Sequence, residues 1–321
     1  MVNGLRILFC GSGVFAVPSL EAICAGPHDL VGVITQPARP AGRGGKLRHT
    51  PVEDFCARHG LETMQCAKIN APDSIDRIAA LKPDVIFVAD FGQMIRQAVR
   101  DCARLDTINL HGSLLPELRG AAPINWAIIR GYRQTGVTTF SLVDEMDAGA
   151  MYLTGQTDVD STETTEQLRE RLALLGADVT CRTLEMIRAG DAQPCEQDHA
   201  KATLAPRLKK SDGLIDWTAD AETIRNVIHG TWPWPGGQAV FHGAKHKDVQ
   251  VVIARAAAEP SSVQGEPGRL DDDLCIATGR DRLRILEIKP AGKRLMNWRD
   301  FANGYRLAAG DMMVRNETPA K

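Results

Sequence analysis

In Thr107-Ile-Asn109-Leu-His111 an amide and an imidazole stand two residues apart at the end of an apolar, strand-like run. Alternate side chains of a strand point to opposite faces, so Asn109 and His111 leave the same one. An amide donor beside an imidazole suits a carbonyl substrate: Asn109 steadies the charge that builds on an oxygen, and His111 exchanges or orients a proton. Taken alone, His111 reads better as a structural histidine. Further on, Asp144-Glu-Met-Asp147-Ala-Gly149 presents acids on a turn of small residues after another strand. Asp147 is the acid expected to partner His111, and the plainer reading is an aspartate that holds turn amides.

Such a pair needs a scaffold that brings strand ends together. Up to about residue 135 apolar runs near 5–10, 30–35, 84–89 and 106–110 alternate with helical patterns near 16–25, 51–59, 72–80 and 122–130. That order predicts an α/β domain with a Rossmann-like, mostly parallel sheet, which binds ligands at the carboxyl ends of its strands. Residues 138–143 and 151–154 read as a hairpin or edge pair, and a helix over about 164–189 is ended by Gly190 and Pro194. The polar stretch 197–210 reads as a linker, and short strand-like pieces beyond it predict a smaller β-barrel. The expected division is a first domain over 1–190, a linker over 191–208 and a second domain over 209–315.

Composition narrows the classes. With 321 residues, 44% hydrophobic and 24% charged, the chain is a globular protein rather than a disordered or fibrous one. Its apolar runs fall far short of the roughly 20 residues of a membrane span, and Leu5 to Cys10 already reads as a strand, leaving no room for a leader; the expected compartment is the cytoplasm. Eight irregularly spaced cysteines without a C-x-x-C pair suggest neither a zinc site nor a disulfide framework. His242 and His246 are four apart but bracket a glycine in a strand context, so no metal is expected there either.

The net charge of −2 excludes a globally basic nucleic-acid coat and leaves local patches open. The chain before Ala205 is net acidic and the rest net basic. Arg39, Arg43, Lys46 and Arg48 crowd a Pro- and Gly-rich loop, and Arg280, Arg282, Arg284, Lys289, Lys293, Arg294 and Arg299 form a second cluster. On a strand, positions 280, 282 and 284 share a face that can track a phosphate backbone; a solvated face explains the charge alone slightly better. Gly11-Ser-Gly13-Val-Phe-Ala16 fits the loose G-x-G-x-x-A pattern, but the next strand ends Ile34-Thr35-Gln36 without the ribose-holding acid, so a plain tight turn is expected. Trp232-Pro-Trp234-Pro-Gly-Gly237 packs a corner or stacks bases.

Over nearly its whole length the chain resembles the methionyl-tRNA formyltransferase family of 10-formyltetrahydrofolate-dependent enzymes. The resemblance lies in the basic loop Gln36–Leu47, in Asn109-Leu-His111 with Ser113-Leu-Leu-Pro116 and Arg119-Gly-Ala-Ala-Pro-Ile124, in Asp144 to Gly149, and in Pro233-Trp-Pro235 and Pro290-Ala-Gly-Lys293. It implies formyl transfer from 10-formyltetrahydrofolate to the amino group of methionine on initiator tRNA, by a monomer and without a metal. Asn109, His111 and Asp147 would then be the catalytic trio. Ser113, Leu114, Leu115 and Pro116 would line the folate site with the backbone around Val88, Phe91 and Gly92. Arg43 and Lys46 would enter the acceptor-stem region, and a C-terminal barrel of oligonucleotide-binding type, with Arg282, Arg284 and Lys293, would hold the tRNA by its phosphates. Three places depart from the family pattern: Gly11-Ser-Gly-Val-Phe15 stands for Gly-Thr-Pro-x-Phe, Ala89-Asp-Phe-Gly92 for Ala-Tyr-Gly, and Gly45 for a common lysine. The competing readings share the trio with an amino sugar or water as acceptor, or keep only RNA binding.

Overall fold

A computed structural model of the chain describes residues 4–41, 46–243, 248–262 and 265–316. Along the first part run β1 (Arg6–Gly11), α1 (Val17–Ala25), β2 (Asp29–Thr35), a hairpin of β3 (Arg39–Ala41) and β4 (Lys46–Arg48), α2 (Pro51–Arg58), β5 (Thr63–Gln65), α3 (Pro72–Ala80), β6 (Val85–Ala89), α4 (Gln97–Arg100) and β7 (Asp106–His111). Then follow α5 (Pro123–Ile129), β8 (Gln134–Ser141), β9 (Met151–Asp158) and the long α6 (Thr165–Ala189). Seven strands form one sheet in the order β5-β2-β1-β6-β7-β8-β9. It is parallel from β5 to β7 and turns antiparallel at β8.

Every residue of β6, Val-Ile-Phe-Val-Ala, is buried, as a central parallel strand covered on both faces must be. Leu8, Ile34, Ile86 and Val88 pack on one face with Ile78 and Val99. Helix starts follow local chemistry: Thr50 caps α2 by accepting the Glu53 amide at 3.1 Å, with Pro51 in the first turn where its missing N–H costs nothing. The expected strands and helices of this region are present. The hairpin β3–β4 and the short α4 lay hidden in segments without periodicity.

Beyond these lie α7 (Ala221–Thr231), β10 (Gly237–His242), β11 (Val249–Glu259), β12 (Ile276–Ala277), β13 (Arg282–Pro290), β14 (Met296–Asn297), α8 (Trp298–Tyr305) and β15 (Met312–Arg315). The antiparallel order β12-β13-β11-β10-β15 has its two edges joined through single bridges, Arg269 to Met312 and Leu270 to Ile276. The result is a nearly closed barrel, which removes the exposed edges that a flat sheet would present. Its core holds Phe241, Ile253, Ile285, Ile288 and Phe301.

Contacts group the chain into two compact units. Unit 1 is Met1–Pro123, Thr135–Thr157 and Arg169–Ala205; unit 2 is Ile124–Gln134, Asp158–Leu168 and Pro206–Lys321. Within unit 2, α5 lies tight against α7. A Cβ on Gly230 would meet the Ile129 amide at 2.9 Å, and Asn125 Nδ2 donates to the Gly230 carbonyl at 2.8 Å. Residues 197–205, read as linker from the sequence, do not run free: they belong to unit 1 and are hydrogen-bonded into it, as described next.

Candidate active site

Asn109 lies across from Val88 of β6 and Phe140 of β8, and His111 ends the strand opposite Thr138. Both strand neighbours hold β7 in register, so the Asn109 and His111 side chains rise from one rigid face. The amide of Asn109 is half-buried and has no hydrogen-bond partner among the described residues. His111 is 6% exposed and meets Phe140 edge to face at 6.3 Å.

His111 Nε2 lies 2.9 Å from the Leu118 carbonyl. A carbonyl only accepts, so Nε2 carries a hydrogen and is committed to it. Nδ1 faces Asp147 Oδ2 at 3.8 Å, too long for a hydrogen bond but near enough for a carboxylate to act on charge there. Nδ1 is therefore the ring nitrogen without a hydrogen-bond partner among the described residues.

Asp147 is held in a left-handed conformation at φ +52°, and its Oδ2 accepts the Gly120 amide at 2.7 Å. Gly120 itself has φ +124°, and a Cβ there would strike the Ala205 carbonyl at 2.6 Å. The other acids of the loop turn elsewhere: Asp144 pairs with Arg100 at 2.8 Å, and Glu145 approaches Arg119 at 3.6 Å. Among these three acids only Asp147 is brought to His111.

A buried clamp sets that loop. Gln197, 4% exposed, donates through Nε2 to the Asp147 and Gly149 carbonyls, both at 2.8 Å. Its Oε1 accepts from Arg119 Nε at 3.1 Å and Nη2 at 2.7 Å. Downstream, Thr203 Oγ1 accepts the Leu118 amide at 2.8 Å, and the Ala205 amide donates to the Arg119 carbonyl at 2.7 Å. Sequence reading missed Gln197, because no spacing ties a glutamine in a polar stretch to a loop 50 residues earlier.

Ser113 Oγ donates to the Glu117 carbonyl at 2.6 Å, and Thr138 Oγ1 donates to the Ser113 carbonyl at 2.8 Å while accepting the Leu115 amide at 3.1 Å. Ser113 and Leu115 are buried, and Leu114 and Pro116 half-buried. Val88 and Phe91 direct their side chains into the core, so only their main chain is on offer, and Gly92 is exposed at φ +76°. The Phe91 carbonyl is already occupied by Gln36 Nε2 at 2.6 Å.

Asp90 explains the glycine-rich first turn. Its carbonyl accepts the Ser12 and Gly13 amides, both at 3.1 Å, and its carboxylate takes the Phe15 amide. A Cβ on Gly13 would fall 1.7 Å from Asp90 Oδ2, so the glycine makes room for the carboxylate. The anion cradle of a G-x-G-x-x-A turn is thus filled from within, in keeping with the tight turn expected. Surrounding protein pushes the Asp90 carboxyl above the usual carboxylate range, with Arg169 and the Phe15 amide opposing.

Of the residues assigned to tRNA, Arg43 and the side chain of Lys46 lie outside the described residues, as does His246. Arg282 and Arg284 share the solvent face of β13, but Arg280 precedes that strand and approaches Asp281 at 3.8 Å. The three do not form the expected row. Arg282 pairs with Glu259 at 3.1 Å, Asp271 at 3.0 Å and Asp273 at 2.9 Å, and Arg284 Nε with Glu259 at 2.5 Å. The arginines, Arg284 foremost, hold the Glu259 carboxyl below its usual range. Lys293 is exposed with no carboxylate partner among the described residues.

Residues 5–184 match the formyl transferase family, and residues 207–306 match the formyl transferase C-terminal domain. A methionyl-tRNA formyltransferase of Geotalea uraniireducens is 38% identical, covering 98% of this chain and 99% of its own. The methionyl-tRNA formyltransferase of Bacillus subtilis is 36% identical over 97% and 99%. Among solved structures, an N-formyltransferase from Helicobacter canadensis in complex with folinic acid and dTDP-3-aminofucose superposes with a TM-score of 0.66 at 14% identity, covering 90% of this chain and all of that one. HypX from Aquifex aeolicus in complex with tetrahydrofolic acid does so at 0.63 and 19%, over 96% of this chain and 48% of its own. At such identities these two establish the fold alone.

Proposed function

The chain belongs to the formyl transferase family in both its N- and C-terminal regions, and from that membership we propose that it is a methionyl-tRNA formyltransferase. It transfers the formyl group of 10-formyltetrahydrofolate to the free amino group of methionyl initiator tRNA, supporting translation initiation. The observation that carries this is identity of 36–39% with curated methionyl-tRNA formyltransferases over almost the full length of each chain.

The site suits the co-substrate, which supplies an activated formyl carbon when bound. Asn109 presents an unpartnered amide on a rigid strand end, where it donates to the charge growing on the formyl oxygen. His111 handles the proton leaving the attacking amine at Nδ1, since Nε2 is committed to Leu118. Asp147, 3.8 Å away, orients His111 and helps remove the amine proton. Ser113 to Pro116 and the main chain at Phe91 and Gly92 border the folate. Arg43 and Lys46 approach the acceptor stem, and Lys293 binds tRNA phosphate from the barrel. Arg282 and Arg284, held by carboxylates, act on RNA less directly than the sequence suggests. The enzyme works as a monomer in the cytoplasm.

The experiment is transfer of labelled formyl from 10-formyltetrahydrofolate to methionyl initiator tRNA, with methionyl elongator tRNA and the Asn109→Ala protein as controls. Product on the initiator alone, lost in the variant, supports both acceptor and trio. Donor consumption without labelled tRNA redirects the acceptor to an amino sugar or water.

A further inference from the structure

Unit 2 carries a half-open pocket of about 280 Å³ lined by Trp232, Pro233, Pro235, Gln250, Val252 and Lys289, among others. Its walls are well fixed. The Trp232 amide closes α7 on the Ile228 carbonyl at 3.2 Å, and the Gly236 amide returns to the Thr231 carbonyl at 3.0 Å. Opposite, the Ala291 amide donates to the Gln250 carbonyl at 2.8 Å, tying the turn after β13 to β11.

Charge singles the place out. The basic cluster of β13 divides: Arg282 and Arg284 are neutralised by Glu259, Asp271 and Asp273, whereas Lys289, Lys293 and Arg294 are exposed and have no carboxylate partner among the described residues. Lys289 lines the pocket, and the other two directly follow the turn that does. Gln250 is exposed, and its side-chain amide is uncommitted among the described residues.

We propose that this pocket takes one unpaired nucleotide of the tRNA, its base stacked on the Trp232 indole and its phosphate held by Lys289. The inference rests on the formyl-transfer reading above. An aromatic wall beside Pro233 and Pro235 receives any base face, while Gln250, donor and acceptor at once, meets a base edge that is accessible only outside a duplex. Pockets for drug-sized ligands run from roughly 300 to 1,000 Å³, so this volume suits a single nucleotide rather than a peptide segment.

Full-length protein is titrated with methionyl initiator tRNA at several salt concentrations, comparing wild type with Trp232→Leu, Lys289→Ala and Gln250→Ala. Trp232→Leu is expected to weaken binding about tenfold. Lys289→Ala is expected to reduce the slope of log affinity against log salt by about one. Folate KM and kcat at saturating tRNA stay at wild-type values. Lys289 and Gln250 are surface positions, so unchanged tRNA affinity and salt slope in both variants would overturn the pocket whatever Trp232→Leu does. If wild type formylates tRNA while these variants bind it normally, the pocket alone falls. If wild type binds no tRNA, the formyl-transfer reading falls with it.

Discussion

His111 has two nitrogens with different obligations, and the difference sets what its neighbours must do. Because Nε2 serves Leu118, the proposed reaction would use Nδ1, beside a carboxylate whose place is fixed by a glycine amide and a buried glutamine. His111→Ala and Asp147→Ala are each expected to lower kcat by about 10²-fold or more, and near-normal turnover in both would remove the trio. Gln197→Glu is the subtler probe. The substitution keeps size and the Arg119 partner but replaces two donors by an acceptor facing two carbonyls, at a cost of roughly 1–3 kcal/mol for a buried group. Steady-state kinetics should find kcat down about tenfold with both KM values held; a change confined to KM would mean that Gln197 serves binding rather than the Asp147 loop.

At the level of elements, α7 carries a titration of its own. His229 is 2% exposed, accepts the Ala256 amide at 3.1 Å and also bonds the Ser161 backbone. Burial first, and Arg225 and Arg255 next, push it down to about 4. The folded state holds it neutral while the unfolded chain protonates it near 6.5, so its contribution is fully present above that value and is lost as pH falls toward 4. The depressed half-buried His28 acts in the same direction. Unfolding free energy should drop between pH 7 and pH 5, about 2 kcal/mol of it from His229. His229→Gln should flatten that slope, and a slope unchanged in the variant would assign it elsewhere. How much could be read from the chain follows from how local the cause is. Strands such as β6 and β7 and the pairing of Asn109 with His111 are written in adjacent residues, and all were legible. Gln197, the filling of the first turn by Asp90, and the carboxylates that neutralise Arg282 and Arg284 depend on residues brought together from far along the chain, for which alternation and spacing carry no signal.

For the molecule as a whole, the two compact units do not coincide with two stretches of sequence. Unit 2 includes α5 and the start of α6, taken from the middle of the catalytic region. Asn125 and Thr165 both bond the Gly230 carbonyl at 2.8 Å, and Trp126 Nε1 donates to Pro206 at 2.7 Å. A fragment of residues 206–321 lacks these partners and is expected to lose the cooperative thermal transition of the barrel in the full chain. A sharp calorimetric transition in that fragment at the full-length temperature would show α5 to be dispensable.

The same threading imposes an order on synthesis. Asn125 and Ile129 of α5 meet Gly230 of α7 in the finished protein, yet they leave the ribosome long before α7 is made. When residue 205 emerges, every segment of unit 1 is available while α5 still waits for its partner. During that interval the nascent chain carries α5, with its buried Ile124, Ala127 and Ile128, before the rest of unit 2 exists, and it is this helix that a chaperone scanning new chains would find.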